Sequence, residues 1–150
     1  VALVPAMASS LKSWGTLLLL LGLRYSLLAQ STSRRAFMEY HHLNPNRAFS
    51  AYRCDELMTD KGLKPKISHL FVHMSWYRVE HVCISNNFKD RYKNSYVWAQ
   101  MPIKVLQCHW DNYISRYIET RSYNYVLFHC NAHGHVDSIE DMKMLEPIFD

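Results

Sequence analysis

Tyr123-Asn-Tyr-Val-Leu-Phe-His-Cys130-Asn-Ala-His-Gly-His-Val136 alternates ring and branched residues up to a cysteine, then passes through Asn and Gly into a second short run. At a two-residue period Val126, Phe128 and Cys130 fall on one face of a strand, and Tyr123, Tyr125, Leu127 and His129 on the other. The stretch reads as a central hairpin strand carrying a buried cysteine.

Around it the chain is that of one modest domain. The full sequence has 150 residues, 49% of them hydrophobic, which is a globular rather than a disordered balance. Its first thirty residues are biased differently: Lys12 precedes a leucine run over Leu17 to Leu23, and small residues follow near Ala29-Gln30-Ser31. This is the pattern of a cleaved secretory signal, with cleavage between Ala29 and Ser31. A membrane anchor needs roughly twenty apolar residues, and Arg24 interrupts the run first. Residues 1–6, ahead of Met7, read as upstream sequence, which leaves 31–150 as the folded domain.

Secretion gives Cys54, Cys83, Cys108 and Cys130 their meaning. An even set in an oxidising compartment is expected to form two disulfides, and spacing alone leaves all three pairings open. No C-x-x-C pair is present, which argues against a zinc knuckle or a redox motif. Net charge is +4 for the full chain, but without Lys12 and Arg24 it falls to 15 basic against 13 acidic residues. Such a balance is weak evidence for nucleic-acid binding.

Helices are expected first and strands later. Ser33 can cap a helix with Phe37, Tyr40 and His41 on one side, ended by Asn44-Pro45-Asn46. Ala48 to Thr59 is a second helical pattern carrying Phe49, Tyr52 and Met58, closed by a loop at Gly62 and Pro65. Ile67 to Ser75 reads as a strand and Trp76 to Ser85 as a third helix with Trp76, Val79 and Cys83 at helical spacing. Tyr96 to Trp98, Ile103 to Cys108, Tyr113 to Glu119, Tyr123 to Cys130 and His135 to Ile139 are short strands. The class is α+β, three early helices on a curved antiparallel sheet.

These residues carry a family resemblance. Phe37-Met-Glu-Tyr-His41 ahead of Tyr52-Arg-Cys54, then Lys66-Ile-Ser-His-Leu-Phe71-Val72-His73, Val82-Cys83, Leu106-Gln-Cys108, Arg116-Tyr117 and the Cys130 segment resemble the pancreatic ribonuclease superfamily over the whole mature chain. Tyr-Val-Trp, Cys-His-Trp, Glu-Thr-Arg-Ser and Val-Asp-Ser-Ile-Glu-Asp are similar to its epididymal secretory members, the epididymis-specific protein three group.

What the resemblance implies depends on three positions. A first catalytic histidine four residues after a helical Phe is matched by Phe37 and His41. A catalytic lysine five residues before a strand Phe is matched by Lys66 and Phe71. The rest of that motif has changed: its cysteine is Pro65, its Asn is His69, and its base-reading Thr is Leu70. The second histidine belongs nine residues after the last cysteine, where Ile139 stands. In such an enzyme one histidine takes the proton of the 2′-hydroxyl, the other protonates the leaving oxygen, and the lysine offsets phosphorane charge. Isoleucine can neither give nor take a proton, so His41 and Lys66 are expected to be vestigial. His135 comes four residues too early, which along a strand is over ~10 Å.

The resemblance also implies which bridges survive. Pro65 and Ser115 stand where one of the family's four would join, the loop bridge after Cys83 lacks both ends, and the remaining pairs are Cys54 with Cys108 and Cys83 with Cys130. His133-Gly-His135 and His41-His42 each offer two imidazoles but no third ligand, so neither a metal nor another cofactor is expected. The function implied is that of a secreted, catalytically deficient protein of epididymal fluid, binding a sperm-surface or fluid protein during sperm maturation, with RNA binding at most weak. The alternative is a weak ribonuclease or antimicrobial protein.

Overall fold

The computed structural model describes residues 34–86 and 89–149. The expected leader, its cleavage site and the Ser33 cap lie outside them. The elements run α1 (34–41), β1 (His42–Leu43), a 3-10 turn (Phe49–Ala51), α2 (Cys54–Asp60), β2 (Ser68–His73), α3 (Trp76–Val82), β3 (Ser95–Trp98), β4 (Ile103–Asp111), β5 (Arg116–Cys130) and β6 (Val136–Pro147). Among the described residues no helix is long and apolar enough to cross a membrane.

Three helices and two disulfides are present as expected, but the sheet is mixed. Its order is β1-β2-β4-β5-β3 with β6 on β5, and the short β1–β2 pair is parallel while every other pair is antiparallel. Side-chain alternation sends consecutive residues to opposite faces, and both faces of β2 and β4 are covered. Val72 and Val105 point into one cluster with Phe37 of α1 and Val79 of α3. Phe71 and Leu106 point into the other, with Leu43, Phe49 and Met58 of the α2 side. One disulfide lies in each cluster: Cys83–Cys130 with Val126 and Phe128 in the first, Cys54–Cys108 in the second. Val126, Phe128 and Cys130 are fully buried, so the alternation of this stretch set the inward face correctly. Each such large apolar side chain contributes roughly 1.5–3 kcal/mol by leaving water.

Four sequence expectations are corrected. The helix proposed over Ala48 to Thr59 is two pieces, because Tyr52 and Arg53 are extended. The Tyr52 carbonyl accepts from Arg121 Nη2 at 2.6 Å and its hydroxyl donates to the Asn44 carbonyl, so tertiary partners hold it out of the helix. The two strands expected over 113–119 and 123–130 are one continuous β5. The break expected at 120–122 stays in the strand, with Arg121 donating to the Tyr52 carbonyl, and just before it Glu119 Oε1 accepts from the Cys54 amide at 2.9 Å, taking one of the orphan donors at the helix start. The last strand does not stop at Ile139 but pairs on to Pro147, past two further irregularities of register. Tyr40, expected on the inward side of α1 with Phe37 and His41, is exposed.

Candidate functional site

Two imidazoles, not one, meet where α1 lies against β2. Phe37 is buried in the first core cluster and anchors α1, so that His41, one turn on, is set against β2. Its Nδ1 donates to the Leu70 carbonyl at 2.9 Å, which leaves Nε2 as the basic nitrogen. Against it lies His69, whose ring stacks on that of His41 with centroids 4.5 Å apart and planes 12° from parallel. His69 is itself buried, with Nε2 donating to the Tyr40 carbonyl. The same β2 residue pair therefore ties down both rings: Leu70 through its backbone, His69 through its side chain.

Burial is the main cause that holds both imidazoles neutral. It lowers His69 to about 4, against the opposing pull of the Tyr40 carbonyl, with His41, Lys66 and Lys61 adding repulsion. His41 is lowered for the same first reason, with Lys66 and Lys61 contributing. Lys66 thus acts electrostatically on both rings, as its place before β2 predicts. Lys61 was not expected here. It donates to the Glu39 carbonyl at the end of α1, sits 6.0 Å over the Phe71 ring, and is lowered by burial. Sequence could have flagged His69, since it alternates with Phe71 on the inward face of β2. Nothing in the spacing of Lys61 points to this imidazole pair.

Chemically the cluster can accept a proton at His41 and offer positive charge from two lysines. Ile139, expected from the family spacing to stand in place of the second histidine, pairs with Phe128 in the β5–β6 ladder and packs on the first core cluster. His135 is held elsewhere. Its Nδ1 is 3.3 Å from Glu80 Oε2, its amide donates to Asn131 Oδ1, and it precedes the first β6 residue in the ladder. Glu80 also binds Arg34 at 2.5 Å and lies 4.0 Å from Arg91, so one carboxylate joins α1, α3, the Arg91 loop and the β5–β6 turn. Among the described residues no group of three or more His, Cys, Asp or Glu is arranged to hold a metal ion.

The comparisons with known proteins bear on the family and the fold. The family model described as pancreatic ribonuclease matches residues 32–146. Human epididymal secretory protein E3-beta is 55% identical over 145 residues, covering 95% of this chain and 99% of that protein. Human epididymal secretory protein E3-alpha is 46% identical with the same coverage. Among solved structures, green turtle egg white ribonuclease matches with a TM-score of 0.58 at 18% identity, covering 74% of this chain and 98% of its own. Amphinase, a cytotoxic ribonuclease from Rana pipiens oocytes, matches with a TM-score of 0.60 at 12% identity, covering 75% and 99%. At those identities the solved structures speak to the fold alone. From the family match over most of its length, and from its likeness to the two human proteins, the chain belongs to the pancreatic ribonuclease family.

Proposed function

We propose that this protein is a secreted, catalytically deficient member of the ribonuclease fold that works by binding, in epididymal fluid, a protein of the sperm surface or of the fluid itself. The carrying observation is Ile139. By the family spacing this apolar side chain falls where the reaction would need a proton donor, and the reading is supported by the contact of His135, the nearest histidine in sequence, with Glu80. Losing one acid or base of such a pair costs about 10²–10⁴ in rate. Support for secretion comes from the leader-like first thirty residues, with cleavage between Ala29 and Ser31, and from relatives named as epididymal secretory proteins.

The alternative, a weak ribonuclease or antimicrobial protein, draws on His41 and Lys66, which match the family motif, and on Lys61 near them. Against it stand the small mature charge and Leu70, which lacks the hydroxyl of the family's base-reading Thr. A fluorogenic RNA cleavage assay separates the two. The expected result is hydrolysis at background for the natural protein, unchanged by His135→Ala. Hydrolysis above background that His135→Ala abolishes would show that a displaced histidine had been recruited, and the binding reading would be wrong.

A further inference from the structure

β5 carries its odd-numbered residues under α2 only as far as Arg121, where the Tyr117 amide donates to Asp55 and Arg121 donates to Tyr52. Beyond that point the same face is uncovered by any described element. It presents Tyr123, Tyr125, Leu127 and His129, joined from β3 by Tyr96, 62% exposed, and Trp98, 45% exposed. Tyr96 packs on His129 with ring centroids 5.0 Å apart, which places the β3 aromatics on this face. An aromatic strip on the solvated side of a sheet is an interface feature rather than a surface average.

The charges at its borders select the occupant. Lys104 of β4, Tyr123 of β5 and Glu146 of β6 are consecutive partners in one cross-strand row, so cation, ring and anion lie side by side. Neither Lys104 nor Glu146 has an ion-pair partner among the described residues. Farther along, Lys143 and Asp141 on β6 add one more charge of each sign beside Tyr125 and Leu127. The strip is balanced, which gives a polyanion or an anionic bilayer no purchase. It is complementary to itself. When two such sheets face each other about a two-fold axis along β5, β6 of each copy lies over β4 of the other, and Lys104 meets Glu146 twice. In the same arrangement Trp98 faces Asp141 of the other copy, and its indole N–H can donate there.

We propose that this face is a homodimer interface, sheet against sheet, with the Lys104–Glu146 pair setting its register. Aligned packing of two sheet faces is the ordinary geometry for such a contact. The backbone positions span roughly 10 Å by 20 Å, below the footprint of a standard stable interface, so the dimer is weak and reversible.

The test is sedimentation velocity over a concentration series with protein secreted from mammalian cells. The natural chain should show a monomer–dimer equilibrium, and Trp98→Ser should be monomeric. Lys104→Glu and Glu146→Lys alone should each weaken the dimer by at least about tenfold, since each sets like charges opposite one another. An equimolar mixture of the two charge variants should regain it, as should a single chain carrying both reversals. Regain in the mixture also establishes that both variants are folded. A chain that stays monomeric at every concentration overturns the proposal, as do a dimer indifferent to both reversals, a mixture that fails to recover, and a mass increase that requires added RNA or glycan.

Discussion

Ile139 faces Phe128 across the β5–β6 ladder, and both belong to the core region that Phe37 anchors, one helical turn from His41. Ile139→His would therefore place a second imidazole on the strand opposite the first. Some cleavage of RNA should appear, well below that of a family enzyme because Leu70 offers no hydroxyl to a base. That gain must vanish in the Ile139→His, His41→Ala double variant. Activity that survives the loss of His41 would mean that the cleft lies elsewhere.

Both histidines of the stacked pair bear on acid stability. His69 takes up a proton at about 4 when folded and near 6.5 when unfolded, so between those values the unfolded chain holds more protons. The stabilisation is complete above about 6.5 and drains as the pH falls towards 4. The shift corresponds to at most about 3 kcal/mol, with His41 adding in the same direction. Denaturant midpoints measured from pH 7 to pH 4 should fall, and the fall should be shallower in His69→Asn. An equally steep fall in that variant would sink the assignment.

How legible this was in the sequence differs from residue to residue. The inward face of β5 was legible because strict alternation has one physical meaning. The two disulfides rested on family likeness rather than on spacing, which left three pairings open. Arg121 and Ser122 misled because polarity was read as a turn, whereas their side chains bond Tyr52 and Asn124, through contacts distant in sequence or inward on the strand. The tail beyond Ile139 has no period of its own and is a strand because β5 offers it an edge. At the site, His41 and Lys66 could be placed by motif, but the partner of His41 could not. A lone histidine on a strand reveals its stacking only when the helix is docked.

The Glu80 hub should matter more than an exposed ion pair. Its carboxylate is largely sheltered and serves Arg34, Arg91 and His135 together. Exposed pairs contribute ~0–1 kcal/mol, whereas Glu80→Ala strips three partners at once and should cost about 1–2 kcal/mol by chemical denaturation. Glu80→Ala should also leave RNA cleavage at background, because freeing His135 does not carry it to the position of Ile139. A neutral effect on stability would mean that these charges are held independently of one another.

Gly134 closes the β5–β6 turn at a φ of +77°, in the region that side chains rarely enter, and its α-carbon faces Arg91. A β-carbon there would lie 2.5 Å from Arg91 Cβ and 2.9 Å from its Cδ. The first of these is close to the backbone and cannot swing away. Arg91 is further fixed by its bond from Nη1 to the Gly134 carbonyl at 3.1 Å. Gly134→Ala should therefore combine left-handed strain with a clash that pushes the 89–92 segment off the turn, for a loss of about 2 kcal/mol or more. The Gly134→Ala, Arg91→Gly double variant separates the two causes. Relief of the clash should recover part of the loss relative to Arg91→Gly alone, while the strain remains. If the two substitutions were simply additive, close approach to Arg91 would not be the reason this position is glycine.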